Sequence, residues 1–491
     1  MAKVVIVGAG MGGLAAALSL CRNPSWEITV VEALNRAGGK VGWHRADGVV
    51  FDTGPSLLTL PAVVEHLCEE AGCQLGERIN LRRPRPAYRY RFADGTNIDI
   101  GHSPEETAAN IAEVLGERSA REFRTFLEYA RKIWEVAAPH FVWGEAPSFG
   151  GMLKLGIRAL RKFRAVDPLR TMDEAICAQI SDWRLRDFFR RYATYNGSDP
   201  RQAPATLNCI CWVEHGLGFW GVEGGMRNLV QSLVALAEEN GVDFRFGTPV
   251  RSIDRRGDRF QIDGDGVELD SDAVIVNADI GHLLDELAGS GVETGLSHFD
   301  SLSMSAWTAV IRASRRPADE RPAHTVVFPE RDYLEEFADI FDRKCPPKLP
   351  TIYLSAGEKA HGVDGWDDEE PIFVMINTPP VDPGKKNSMD WQKYEQKILR
   401  RLRKLGLIDS GDSVVWRRTP EGLAGQFPGS RGSIYGAASN GRMAAFRRPS
   451  NRVDEVPGLY LASGGAHPGG GVPLAMQSGI QAARELAAYC T

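Results

Sequence analysis

Several large protein classes are excluded by what this chain has little of. Cysteine supplies only eight of 491 residues, and no pair has zinc-ligand or thioredoxin-type spacing; Cys68/Cys73 and Cys209/Cys211 come nearest. These read as reduced, mostly buried thiols of a cytoplasmic protein, with no metal site among them. Positive charge is not in excess either. The 58 Lys and Arg stand against 64 Asp and Glu, a formal net charge of -6, which argues against a nucleic-acid partner. The acidic pair Asp263/Asp265 in DGDG lacks the further acids and the distal Glu of a calcium loop, and reads as a hairpin turn. No uninterrupted apolar run reaches spanning length. The nearest, residues 4–20, is broken by Gly8, Gly10, Gly12 and Gly13 and follows a single base, Lys3, where a secretory signal carries several. At 43% hydrophobic and 25% charged residues, the chain reads as globular, with about two to four domains.

The glycines that break that run are spaced as a motif. Gly8, Gly10 and Gly13 form G-x-G-x-x-G directly after Val4-Val5-Ile6-Val7. A helical pattern follows over 14–20. An alternating strand then covers 27–31 and ends at Glu32, 24 positions after Gly8. Each glycine has a physical reason to be there. Gly8 allows the tight turn, Gly10 lets the backbone approach a pyrophosphate, and Gly13 lets helix and strand pack closely. The helix N-terminus attracts the phosphates, and the Glu32 carboxylate suits a ribose diol. A dinucleotide site is expected here.

A second glycine pair selects which dinucleotide. RAGGK (36–40) and FDTGP (51–55) follow Glu32, and a nicotinamide domain has no need of them. Extended FAD does: bare backbone at Gly38 and Gly39 can approach it closely, Arg36 and Lys40 offset phosphate charge, and Gly54 is a further candidate contact. The far end agrees. Residues 457–462 read as a turn into a short strand, 463–473 as a glycine-rich turn, and 474–488 as a helix. Backbone N–H groups near Gly465 and Val472 would meet the pyrimidine end of a reduced flavin. Both chain ends are thus expected to converge on one FAD.

At these residues the chain resembles the bacterial-type carotenoid (phytoene) desaturase family of the flavin amine oxidase superfamily, over nearly its full length. The landmarks are VVIVGAGMGGLAAAL with GGK and FDTGPS, then YNGSDP with APA, then GVEGGM before a helix and GTPV, and finally GGAHPGGGVP. Two positions depart from the family pattern: Ser463, where Gly is usual, and Gly470, where a small non-glycine is common. The HPGGGVP form looks more like late-acting or shorter-chain desaturases. The resemblance implies an α/β fold with a discontinuous, Rossmann-like FAD domain of the glutathione-reductase type (1–84, 215–289 and 416–491). An α+β substrate-binding domain is inserted (85–214 and 290–415), its 85–210 part mainly helical and one strand covering 306–311. It also places the backbone of Val250 near the adenine, at the end of a strand.

The chemistry so implied is desaturation of a long apolar polyene by hydride transfer to the flavin, with loss of a proton from the neighbouring carbon. The reduced cofactor is then reoxidised by oxygen or a quinone. His467 and Glu214, the latter beside His215, are the candidate proton acceptors. Phe141, Trp143, Trp212, Phe219 and Trp220 are candidate linings of an apolar tunnel. The basic segment 152–164, with Lys154, Arg158, Arg161, Lys162 and Arg164, has apolar residues at helical spacing and suits the surface of anionic lipid, with Arg170 adding charge nearby. The expected localisation is cytoplasmic and peripherally membrane-bound. A retinol-saturase-like reductase, an amine-oxidase-like enzyme and a non-catalytic prenyl-binding protein of related fold stay open as alternatives.

Overall fold

The valine-rich run at the N-terminus becomes the centre of a parallel sheet. The structure is a computed structural model describing residues 1–146, 166–330, 332–384 and 389–489. Strand Ala2–Val7 lies between Trp26–Val31 and Ala273–Val276, and the five-stranded sheet is completed by Asp243–Arg245 on one edge and Leu459–Leu461 on the other. All four pairings are parallel, so both faces must be covered, which accounts for the near-continuous apolar strands. Helix Met11–Leu20 covers one face with Leu14 and Leu18 fully buried, each worth about 2 kcal/mol of burial. The C-terminal helix Val472–Tyr489 packs against it. On the other face lies a three-stranded antiparallel sheet, Val250–Arg256, Arg259–Gly264 and Val267–Ser271, with Asp265-Gly266 as the expected hairpin turn. Val250 begins its strand rather than ending one.

A second, larger sheet carries most of the remaining core. Its seven strands run in the order Ser413–Arg418, Ser305–Ser314, Glu369–Thr378, Ile352–Ala356, His324–Val327, Tyr88–Arg91, Asn97–Ile100. Alternation along the two long strands divides their faces. Trp307, Ala309, Ile311, Ile372, Val374 and Ile376 point to one core, closed by Tyr394, Ile398 and Leu402 of helix Trp391–Lys404. Ala306, Thr308, Phe373 and Met375 point the other way, to a cavity. The expected strand over 306–311 is therefore present and longer. Strand Ser413–Arg418 pairs with Ser305–Ser314, so the sheet continues past the boundary expected at 416, which falls inside a strand.

Residues 104–141 supply the helices opposite this sheet. Pro104–Leu115 starts at Ser103, whose side chain accepts from the Glu106 N–H. Glu117–Phe141 follows, with Phe123, Phe126 and Leu127 buried among the aromatic groups of Phe188 and Phe189. The basic segment 152–164 lies outside the described residues. Arg170 is described and is held by Asp167, with Nη2 and Oδ2 2.5 Å apart. The seven described thiols, from Cys21 to Cys345, are all free. Among the described residues no helix is long and apolar enough to cross a membrane, and no cluster of His, Cys, Asp or Glu suits a metal ion.

Candidate active site

The first turn is shaped for a phosphate. Gly8 has φ +102°, a conformation L side chains rarely adopt, and a Cβ on Gly13 would sit 2.0 Å from the Gly8 carbonyl oxygen. No side chain caps helix Met11–Leu20, so its first N–H groups lack a side-chain acceptor. Glu32 is buried, its two oxygens accepting from the N–H groups of Ala9 (2.7 Å) and Leu34 (2.8 Å), which fixes the carboxylate beside the turn. Burial pushes its pKa up.

The second glycine loop is fastened to the first, since the Gly38 N–H donates to the Ala9 carbonyl at 2.8 Å. Lys40 reaches the same space, and its ammonium is paired with Asp279 Oδ2 (3.2 Å) and the Ser433 carbonyl (2.9 Å). Arg36 does not line the cavity; its guanidinium lies 4.5 Å over the Trp43 ring. Two other cations do line it. Arg418 Nη2 donates to the Thr53 carbonyl (2.9 Å), and Arg448 Nη1 to the Gly464 carbonyl (2.7 Å). Burial lowers each to about 10, and among the described residues neither has a carboxylate within 4.0 Å.

A single cavity of about 1090 Å³ joins these parts. Gly8, Gly10, Glu32, Gly39, Lys40, Gly54, Val250, Gly465 and Val472 all line it, whereas Gly13 lies behind the turn it tightens. Away from the glycines the wall becomes apolar: Trp134 and Phe141 from helix Glu117–Phe141, Phe373 and Met375 from the large sheet, with Leu57 and Ile434. Of the five aromatic groups expected to line it, Phe141 alone does. Trp143 is outward-facing, with its ring edge-on to Trp134. Phe219 is buried behind Tyr88, the ring that faces the cavity, at 5.1 Å. Trp220 lies under the Arg83 guanidinium, and Trp212 packs against the neighbouring aromatic core. Position along the chain could not reveal which face of a turn reaches the space.

Neither candidate base stands free. His467 is on the wall, but its Nε2 is 3.0 Å from the Gly144 carbonyl, which can only accept, so Nε2 carries the proton. Burial lowers its pKa, with the Gly144 bond opposing and Arg448 adding to the fall. Glu214 does not reach the wall. It is 1% exposed and takes the hydroxyls of Tyr192 (2.8 Å) and Tyr195; Tyr195 is the residue that faces the cavity. His215 beside it is also buried, and desolvation lowers it to about 4.

Comparison with known proteins decides the family. The description of flavin containing amine oxidoreductases matches residues 11–487. The chain belongs to that family. It is 35% identical to a hydroxyneurosporene desaturase of Cereibacter sphaeroides, covering 99% of this chain and 97% of the other. It is 30% identical to a 4,4'-diapolycopene oxygenase of a Methylomonas species, covering 97% and 96%. Among solved structures, a putrescine oxidase superposes with a TM-score of 0.63 at 16% identity, covering 99% of each chain. An oxidoreductase from Methanosarcina mazei gives 0.60 at 17% identity, covering 99% and 100%.

This flavin oxidoreductase uses FAD, and its residues fit that group. Gly10 and Gly54 line the cavity with bare backbone, and neither position has room for a Cβ, which would sit 2.5 Å from Asn277 Oδ1 at Gly10 and 2.3 Å from the Lys40 carbonyl oxygen at Gly54. Arg418 and Arg448, which have no carboxylate partner among the described residues, suit an anionic cofactor. Sequence reasoning missed both. Each is a lone base in a segment without a phosphate motif, and only the return of residues 416–448 to the first turn brings them there.

Proposed function

We propose that the protein is an FAD-dependent carotenoid desaturase acting on an acyclic polyene that already carries part of its conjugation. The observation that carries this reading is the joining of glycine turns from both termini, in one cavity, to an apolar wall built by the large sheet. The cofactor half corresponds to a Rossmann-like unit of the glutathione-reductase type, formed by residues 1–84 and 215–289 and the end of the chain. The substrate half comprises 85–214 and 290 to about 418. In this reading the first turn holds the pyrophosphate, Glu32 the ribose, Val250 the adenine side, and the backbone at Gly465 and Val472 the flavin end.

Bound FAD supplies the hydride acceptor. The chain's own contribution is positional: Phe373, Met375, Leu57 and Phe141 exclude water and hold an apolar chain, so that a C–H bond can be presented without a polar competitor. The cation left on a polyene is delocalised, so no strong counter-charge is required of the wall, and the proton of the neighbouring carbon is proposed to pass to water at the cavity mouth. His467 and Glu214 serve structure in this scheme. The relatives' names support a carotenoid substrate, and three of them are hydroxyneurosporene desaturases. The segment 152–164 is proposed to rest on anionic lipid, from which the substrate enters. Oxygen or a quinone is proposed as the final electron acceptor.

The test is anaerobic mixing of the purified yellow holoprotein with a partly unsaturated acyclic carotenoid in detergent micelles. Bleaching of the flavin together with a red shift of the carotenoid is expected. A flavin that stays oxidised with every acyclic carotenoid, or that bleaches with an amine, overturns the reading. A requirement for reduced dinucleotide with net loss of double bonds supports a saturase instead.

A further inference from the structure

Arg191 is a charged group on the cavity wall that the cofactor reading leaves without a role. Arg191 is 8% exposed, and that exposure is to the cavity. Its Nη1 donates to the hydroxyls of Tyr90 (3.0 Å) and Tyr195 (3.2 Å), and its guanidinium lies 5.7 Å from the centre of the Tyr353 ring. Among the described residues, Nε and Nη2 have no hydrogen-bond partner and no carboxylate lies within 4.0 Å. A buried cation with idle donors costs free energy unless something accepts from them.

Its charge, however, is already answered at one remove. Tyr195 accepts from Arg191 and donates to the buried Glu214 carboxylate, so the three groups form a chain with little net charge. Such a chain offers donors without calling for a second anion, which suits a neutral oxygen. On the same turn, Arg191–Asn196, Thr194, Tyr195 and Asn196 also line the cavity. The idle Nε and Nη2 donors of Arg191 match a hydroxyl oxygen, which accepts without carrying charge.

We propose that Arg191, positioned by Tyr195 and Glu214, is a specificity residue that binds a hydroxyl group carried by the polyene substrate. The proposal rests on the desaturase reading and deepens it: the substrate is an oxygenated polyene, and the site selects it over the plain hydrocarbon. The turn's cluster lies in the same cavity as the substrate, so holding the hydroxyl also fixes which carbons of the chain approach the cofactor side.

The experiment compares two acyclic carotenoids of equal length and conjugation, one with a terminal tertiary hydroxyl and one without, and adds a terminally carboxylated analogue. Dissociation constants are read from quenching of the bound flavin's fluorescence in the holoenzyme. The wild type is expected to favour the hydroxylated probe over the hydrocarbon by at least about tenfold. Arg191→Met should collapse that ratio toward one, and Arg191→Lys should restore part of it. Tyr195→Phe, which removes only a hydroxyl, provides a second variant should Arg191→Met fail to fold, and should lower the ratio severalfold. A wild-type ratio near one, an unchanged ratio in a folded variant, or tighter binding of the carboxylated probe than of the hydroxylated one overturns the proposal. Binding of both carotenoids without any flavin reduction defeats the desaturase reading instead, and leaves the ratio to judge the hydroxyl site on its own.

Discussion

Gly479 in the C-terminal helix lies against Gly12 in the first: a Cβ added at Gly479 would be 2.0 Å from the Gly12 carbonyl oxygen. This contact brings the two ends of a 491-residue chain to one cavity, because each helix opens at a glycine turn on the same cavity wall. The obstacle to a side chain there is backbone, which cannot rotate away. Gly479→Val should therefore cost about 1–3 kcal/mol or more of stability by forcing the helices apart, and should purify with less flavin. Thermal unfolding with flavin release as a second signal checks it; an unaltered midpoint and full flavin content would refute the close-contact argument.

Glu336 gives the fold a pH dependence whose sign follows from its burial. The carboxyl is 3% exposed, Oε2 accepts from the Thr351 N–H at 2.6 Å, and Oε1 has no partner. Desolvation raises its pKa from 4.5 to about 7. Between those values the folded chain holds a proton that the unfolded chain has released. Stability is then fully present below 4.5 and falls as pH rises through about 7, by up to about 3 kcal/mol. Glu336→Gln should flatten this part of the profile, as measured by urea unfolding at a series of pH values.

His467 acts as a clamp between the glycine-rich turn at 463–473 and the segment just after helix Glu117–Phe141, because its Nε2 is committed to the Gly144 carbonyl. Gln481 holds the same carbonyl from the C-terminal helix at 3.2 Å. His467→Gln keeps a donor, and should lower kcat by less than about tenfold without altering the shape of its pH profile. His467→Ala should cost about 1 kcal/mol of stability through the lost bond. Disappearance of a near-neutral ionisation from the kcat profile of His467→Gln would instead make the imidazole a base.

Replacing Lys154, Arg158, Arg161 and Lys162 together with Gln should release the protein from anionic liposomes, since about 1 kcal/mol per base is lost near such a surface. Co-sedimentation at moderate salt reads the effect, with zwitterionic liposomes as the reference. Equal sedimentation of the variant and the parent protein would remove the membrane proposal while leaving the cofactor site untouched.

The sequence by itself determined the elements whose cause is local. A strand, three spaced glycines, a helix and Glu32 occupy consecutive positions, so the turn is dictated by neighbours in the chain and reads directly. The glycine-rich turn at 463–473 reads for the same reason. The antiparallel hairpin around Asp265 was legible from its turn residues, whereas the strand at 306–311 came only from the family resemblance.

Tertiary structure decided everything that depends on which face meets which. Phe219 and Trp220 are adjacent to the site in sequence yet lie behind its wall, while Phe373 and Met375, more than 150 positions later, form part of it. The acidic group expected as a base, Glu214, is buried behind Tyr195, and the cations Arg191, Arg418 and Arg448 arrive from separate segments with no shared motif. Long-range packing sets the direction of a side chain and the company of a charge. No spacing within the chain encodes either, because both depend on strands and helices that meet only after the chain has folded.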